Sequence, residues 1–146
     1  MNLKIKDKLP TLIVCVALLA ASSCSLKGLT EGKGISEAAV TQFHSQFNAK
    51  QFHEIYTRTD EEFKKVSSEP DFTAMLDALH RKLGTVKDSK PTGWGVNATT
   101  MGTIVTVGYD VEFTEGNGTE KFVFRVSGGK AQMLSYNVNS PLLITK

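Results

Sequence analysis

The feature that most constrains the fold is a change in the spacing of apolar residues at Gly84. Before this glycine, apolar side chains recur at three and four residues, which is the spacing of an amphipathic helix. After it, apolar and polar residues alternate, which is typical of strands with one buried face. A chain that first forms helices and then consecutive strands is expected to be α+β. We therefore predict N-terminal helices packed on a curved, four-stranded antiparallel sheet.

The helical half contains four predicted segments. The first begins at Ser36, a favourable N-cap, and the second is a short helix over residues 52–56. A capping box at Thr59 predicts the third, and the fourth runs from Ser68 to Gly84, which supplies a left-handed stop. The fourth helix has the clearest apolar stripe, which comprises Phe72, Met75, Leu76, Leu79 and Leu83.

The second half of the chain predicts four strands in a meander. Residues 86–97 contain a proline and two glycines around Trp94, which predicts an irregular or edge strand. Alternation is clean over residues 103–114, and residues 115–118, which contain the dipeptide Asn117-Gly118, predict a hairpin turn before the next strand. Gly128-Gly129 predicts a further turn. The predicted inward residues of the second strand are Val105, Val107, Tyr109, Val111 and Phe113.

The N-terminal 24 residues have the pattern of a secretory signal. Three lysines precede an apolar run over residues 12–21, and small residues follow as far as Cys24. The run is too short for a transmembrane helix, which needs about 20 apolar residues. The pattern therefore predicts export.

Residues 21–24, Ala-Ser-Ser-Cys, resemble the lipobox of bacterial lipoproteins, although Ala21 stands where leucine is usual. The resemblance implies that Cys24 carries lipid and anchors the chain to a membrane. Ser25, where an aspartate would resemble an inner-membrane retention signal, favours the periplasmic face of the outer membrane in a two-membraned bacterium. In a bacterium with one membrane, the anchor would lie in the cell membrane. Ordinary cleavage after Ser23, without lipid, is the alternative.

The predicted organisation is a signal peptide (residues 1–23), a lipidated cysteine with a flexible tether (24–34) and one domain (35–146). Both cysteines, Cys15 and Cys24, lie outside that domain, which excludes disulfides and cysteine nucleophiles from it. Without residues 1–23 the chain has 14 basic and 14 acidic residues, so no basic surface suggests nucleic acid as a partner.

The order of elements resembles the cystatin-like or NTF2-like fold. The resemblance covers about residues 35–140 and includes a long helix, a short helix in "NAKQFHEIY", a helix ending in "LHRKLG" and then a meander. It is nearest to small bacterial lipoproteins of the uncharacterised DUF4019 and DUF3887 kind. Such domains are cones in which the sheet wraps the helices, and they include enzymes, ligand carriers and interaction modules.

Candidate catalytic and metal-binding residues are few. His44, His53 and His80 lack the spacing of a helical metal pair, so no metal or cofactor is predicted. Related folds place a carboxylate beside phenols in an apolar pocket, but alternation turns Tyr109 inward and Asp110 outward. No catalytic residue is therefore predicted.

Three functions are compatible with the sequence. The first is a non-enzymatic module that presents a docking edge at Trp94 to another envelope protein. The second is a carrier of a small apolar ligand in a cavity between sheet and helices, and the third is an NTF2-like enzyme. The residues that would line the carrier's cavity are Phe43, Phe47, Leu79, Tyr109 and Phe113.

Overall fold

The computed structural model describes the backbone of residues 9–145 and the side chains of residues 28 and 30–145. The chain divides into two compact units, Met1–Glu31 and Gly32–Lys146. In chain order the elements are α1 (Leu9–Asn48), α2 (Phe52–Thr57), α3 (Glu61–Val66), α4 (Glu69–Leu83), β1 (Val86–Thr99), β2 (Gly102–Phe113), β3 (Gly116–Ser127), β4 (Lys130–Asn139) and α5 (Leu142–Thr145). The side chain of Cys24, the predicted lipidation site, lies outside the described residues. Among the helices that the structure describes, none combines the length and apolar character that a membrane-spanning helix requires.

The first helix begins earlier than predicted. Ser36 is buried inside α1 and its hydroxyl donates to the carbonyl of Gly32 at 2.9 Å, so the predicted helix start at Ser36 is wrong. The backbone of residues 25–34, predicted as a flexible tether, is also helical. A Cβ placed on Gly32 would lie 3.5 Å from Cγ2 of Val105, which is ordinary van der Waals contact. At Gly32 the helix backbone therefore runs directly against β2.

The caps of α3 and α4 explain where these helices begin. The N-cap of α3 is Asp60, whose carboxylate accepts from the Glu62 amide at 2.9 Å, so the capping box predicted at Thr59 is wrong by one residue. Ser68 caps α4 as predicted, because its hydroxyl accepts from the Asp71 amide at 3.3 Å. Gly84 ends α4 with a φ of 77°, which confirms the predicted stop.

The sheet is an antiparallel meander in the order β1-β2-β3-β4. Its inward side chains alternate as predicted along β2, and all five residues predicted inward are buried. Helices followed by this open sheet confirm the predicted α+β class, and the architecture is consistent with a cystatin-like or NTF2-like fold. β1 is an edge strand, also as predicted.

One of the two predicted turns is misplaced. The β2–β3 turn consists of Thr114 and Glu115, whereas Asn117 and Gly118 lie within β3 and pair with β2. A Cβ on Gly118 would lie 2.7 Å from the Asn139 carbonyl oxygen, so this glycine permits close approach of the chain after β3. The Gly128-Gly129 turn is confirmed, with φ of 56° and 73°.

The core lies between α1, α4 and the inward face of the sheet. It includes Phe47, Leu76, Leu83, Val105 and Phe122, each no more than 1% exposed. Four of the five residues predicted for the stripe of α4 are buried. The fifth, Met75, is 41% exposed because its side of the helix faces solvent, so that assignment is wrong.

Candidate docking edge, cleft and buried polar network

The two edges of the sheet differ in how they are covered. On β4, the amide of Asp60 donates to the Met133 carbonyl at 2.9 Å, and Thr59 forms a parallel bridge with the same residue. On β1, no backbone hydrogen bond from another described segment reaches the outer edge between Lys87 and Ala98. The outer edge of β1 is therefore the open edge of the described sheet.

The two halves of β1 also differ. The first half contains three charged residues and Pro91, and the pairing register shifts between Val86 and Asp88 and between Pro91 and Gly93. Charges, proline and bulges are the usual protection of an exposed edge against pairing with another strand. Residues 93–98, Gly-Trp-Gly-Val-Asn-Ala, contain none of these and all but Val96 are exposed. We call residues 93–98 the docking edge.

Trp94 lies at the start of the docking edge. It pairs in register with Val107, whose side chain points inward, so the indole lies on the helix side of the sheet. The side chain is 52% exposed, and Nζ of Lys33 in α1 lies 5.9 Å from its ring centre. Gly93 and Gly95 alternate with Trp94 along the strand, and among the described residues nothing lies within 4 Å of their Cβ positions, so the opposite face of β1 is open at these two glycines.

A cleft of ≈ 270 Å³ lies between the exposed flank of α1 and β1. Lys33 and Glu37 line its helix side, Trp94 and the three residues before it line its strand side, and Val107 and Tyr109 complete it. We call it the Trp94 cleft. The cleft and the docking edge share Trp94, so a segment bound along the edge would have access to the cleft.

The ionisable groups that line the Trp94 cleft are one ion pair and one phenol, and Thr92 adds a neutral hydroxyl. Nζ of Lys33 lies 2.5 Å from Oε1 of Glu37, and both side chains are about one-third exposed. Burial raises the pKa of Tyr109, and the carboxylates of Glu37 and Glu120 raise it further, so the phenol is protonated at neutral pH. Within the described part of the chain, the Tyr109 hydroxyl has no hydrogen-bond partner. The cleft therefore offers a free hydroxyl beside a neutralised ion pair.

Behind Tyr109 lies a buried polar network that crosses from α1 to β4. Oε2 of Glu120 lies 2.6 Å from Nε2 of His44, and the Tyr136 hydroxyl donates to Oε1 of the same carboxylate at 2.7 Å. The side chains of Glu120 and His44 are 1% and 10% exposed. Burial, followed by the charge and hydrogen bond of Glu120, raises the pKa of Tyr136 well above its ordinary value, so Tyr136 remains a donor. Both carboxylate oxygens of Glu120 thus have partners inside the protein.

Sequence reasoning missed Glu120. Asp110 is exposed as predicted, while the inward carboxylate is Glu120, which pairs in register with Tyr109. The alternation of Phe122, Phe124 and Val126 on β3 gave the signal, since it extends back by two residues to Glu120. Placing Asn117-Gly118 in a turn put Glu120 near the end of the strand and concealed its inward orientation.

The residues predicted to line a carrier's cavity are all buried in one apolar core cluster: Phe43, Phe47, Leu79, Tyr109 and Phe113. The ring of Phe43 packs against Phe122 at 5.1 Å and stacks with Phe47 at 6.2 Å. The gap that borders Phe43 measures ≈ 40 Å³. That volume is close to the share of one water molecule in the liquid, about 30 Å³.

The three histidines lie in three different environments. His44 belongs to the buried network, whereas His53 is exposed and its Nδ1 lies 2.5 Å from Oε1 of Glu69. The hydrogen bond to Glu69, followed by the charge of that carboxylate, raises the pKa of His53. The buried Nε2 of His80 has no hydrogen-bond partner among the described residues, and the ring of His80 lies 5.2 Å from that of Phe47. Across the residues that the structure describes, no group of three His, Cys, Asp or Glu side chains could hold a metal ion.

No protein-family model matches this chain, and no curated protein matches it.

Proposed function

We propose that this chain is a lipid-anchored envelope protein whose domain captures an extended segment of another envelope protein on the docking edge, residues 93–98. The observation that carries the proposal is the open, uncharged second half of β1, which includes the half-exposed Trp94. An extended segment added to such an edge forms main-chain hydrogen bonds, and pockets beside the strand select its side chains.

The contrast within the sheet supports this choice of surface. The edge of β4 is covered at Met133, and the first half of β1 has the proline, charges and register shifts that discourage pairing. Residues 93–98 lack that protection although they are exposed. An unprotected edge is a risk of aggregation, so retaining one is best explained by a partner that covers it.

Trp94 supports the proposal independently of the backbone. Tryptophan is among the residues that contribute most to binding energy at interfaces, because a large ring is desolvated in one contact. Most tryptophans are largely buried, whereas this one is 52% exposed next to a cleft. Its single occurrence in the chain makes it a clean spectroscopic reporter.

A binding role without catalysis is supported by the state of Glu120, a buried carboxylate beside a histidine and a phenol. Glu120 is enclosed, and His44 and Tyr136 already occupy its two oxygens. A substrate would have to displace one of these partners to reach it. We therefore propose a non-enzymatic module.

The experiment that tests the docking edge is site-specific photo-cross-linking in cells. A photoreactive residue at Asn97, on the docking edge, is compared with one at Gln132, on β4; both positions are exposed. We expect one discrete adduct from position 97 and none from position 132. The same adduct should be lost when Gly95→Lys places a charge on the edge, since a side chain at Gly95 meets no atom within 4 Å.

The captured segment is then mapped and synthesised as a peptide. On binding to the chain, it should slow hydrogen exchange at the amides of residues 93–98. Equal adducts from positions 97 and 132, or protection elsewhere without protection of β1, would contradict the proposal.

The anchor is tested separately by metabolic labelling with palmitate. Cys24→Ser should abolish labelling, and Cys15→Ser, which changes the other cysteine, should leave it intact. Incorporation of palmitate into the Cys24→Ser chain would refute the assigned anchor.

A further inference from the structure

The Trp94 cleft lies on the path of any strand added to the docking edge. Side chains of an added strand alternate between the two faces of the sheet, and a residue opposite Trp94 lies with its Cβ about 4.5–5.5 Å from that of Trp94. Since the indole is on the helix side, the opposing side chain also points to the helix side, where the cleft opens. The captured segment would thus place one side chain in the cleft.

The volume of the cleft limits its occupant. At ≈ 270 Å³ it is smaller than the pockets of about 300–1,000 Å³ that hold drug-sized ligands. One large side chain is a suitable occupant. The exposed ring of Trp94 favours an aromatic one, because aromatic pairs gain energy beyond the area they bury.

The charges of the cleft favour a neutral occupant. Lys33 and Glu37 lie 2.5 Å apart and neutralise each other, and Nζ of Lys33 already lies 5.9 Å from the centre of the Trp94 ring. A cationic side chain would meet Lys33, and an anionic one would meet Glu37. Either would separate the existing ion pair.

The hydroxyl of Tyr109 selects among neutral aromatic groups. It has no hydrogen-bond partner within the described part of the chain, and its raised pKa keeps it protonated. A phenol can both accept from Tyr109 and donate to the nearby carboxylate of Glu37. An indole N–H can only donate, and a phenyl ring can do neither.

We infer that the Trp94 cleft binds the side chain of a tyrosine in the captured segment, with the phenol stacked on Trp94 and its hydroxyl bonded to Tyr109. The inference rests on the proposed docking function and names the residue that the segment carries opposite Trp94.

The test uses the full chain, ¹⁵N-labelled and held in detergent micelles, with the indole N–H signal of Trp94 as the reporter. Four probes are titrated: the N-acetyl amides of tyrosine, phenylalanine, tryptophan and lysine. We expect the tyrosine amide to bind saturably and roughly fivefold more tightly than the phenylalanine amide, which is the usual contribution of one hydrogen bond.

Two variants assign that preference to the cleft. Tyr109→Phe should make the tyrosine and phenylalanine amides bind equally. Tyr56→Phe, which removes a hydroxyl bonded to the Ser67 carbonyl elsewhere in the domain, should leave the preference intact. Equal binding of the two amides to the unaltered chain, or tighter binding of the lysine amide, would overturn the inference.

Failure of this inference and failure of the proposed docking function give different experimental results. Cross-links at position 97 without a tyrosine preference would contradict this inference and leave the docking edge supported. A tyrosine preference without cross-links would support the cleft as a phenol site and contradict strand capture.

Discussion

Nε2 of His44 lies 2.6 Å from Oε2 of Glu120, and the two buried side chains join α1 to β3. Tyr136 extends the contact to β4 through a hydrogen bond of 2.7 Å to the same carboxylate. One carboxyl group therefore links α1 to two neighbouring strands of the sheet. A buried polar group that has all its partners stabilises a unique arrangement, whereas the loss of one partner leaves the others unsatisfied.

We expect Glu120→Ala to destabilise the domain because it leaves both His44 and Tyr136 without their partner. The loss should be about 1–3 kcal/mol for each unsatisfied group in the free energy of unfolding, measured by chemical denaturation. Glu112→Ala is the matched control, since Glu112 pairs with Lys87 at 2.5 Å on the exposed face. That pair should contribute only about 0–1 kcal/mol. Equal losses for the two variants would show that the network does not stabilise the fold.

The same network predicts a loss of stability at alkaline pH. Burial and the carboxylate of Glu120 raise the pKa of Tyr136 well above its ordinary value of 10.0. The folded chain therefore keeps a proton that the unfolded chain releases, so this contribution is fully present below about pH 10 and is lost as the pH rises through the folded-state pKa.

The measurement is the free energy of unfolding between about pH 8 and pH 11, compared between the unaltered chain and Tyr136→Phe. Tyr136→Phe should show a shallower decline above about pH 10, because it has no phenol to ionise at this position. Parallel declines would mean that Tyr136 ionises as easily in the folded chain as in the unfolded one.

Gly118 provides a prediction about why glycine occupies this position: the backbone of Asn139 approaches it closely, and no turn is needed to explain it. A Cβ at this position would lie 2.7 Å from the backbone oxygen of Asn139 and 3.3 Å from Cε2 of Phe113. Gly118→Ala should therefore cost about 1–3 kcal/mol through overpacking. Gly93→Ala is the control, since no atom lies within 4 Å of its Cβ position, and it should change stability by less than about 0.5 kcal/mol. If Gly118→Ala leaves the free energy of unfolding unchanged, Asn139 at the end of β4 does not approach β3 this closely.

Much of the fold could be predicted from local pattern, because β2 and α4 each bury one regular face. The alternation around Val107 and the cap at Ser68 specify strand and helix without long-range information. The helical backbone of α1 at Gly32 and Gly34 could not be predicted, since glycine has low helix propensity and the approach of Gly32 to Val105 depends on the folded sheet. The helix propensity of single residues predicts little where contacts with distant parts of the chain determine the structure.

The candidate site was predictable only in part. The glycines around Trp94 indicated an edge strand, and β1 is one. The Trp94 cleft was not predictable, because Lys33 was assigned to the tether and Glu37 to the first predicted helix, and both meet Tyr109 only in the folded domain. The network was missed for a similar reason, since His44 and Glu120 are 76 residues apart in sequence.

The last prediction concerns the alternative function, a carrier of an apolar ligand. The residues that would line its cavity, among them Phe47 and Leu79, are buried against one another in the core. The gap beside Phe43, ≈ 40 Å³, has room for about one water molecule and none for an acyl chain. A fluorescent fatty acid titrated with a chain that begins at Ser25, and so lacks lipid and detergent, should show no saturable change in emission.

A tightly packed core also predicts that Leu79→Ala lowers the free energy of unfolding by about 2–5 kcal/mol, whereas Met75→Ala, on the exposed side of the same helix, lowers it by less than about 0.5 kcal/mol. Saturable micromolar binding that unlabelled fatty acid displaces, together with a small cost for Leu79→Ala, would favour the carrier over the docking module.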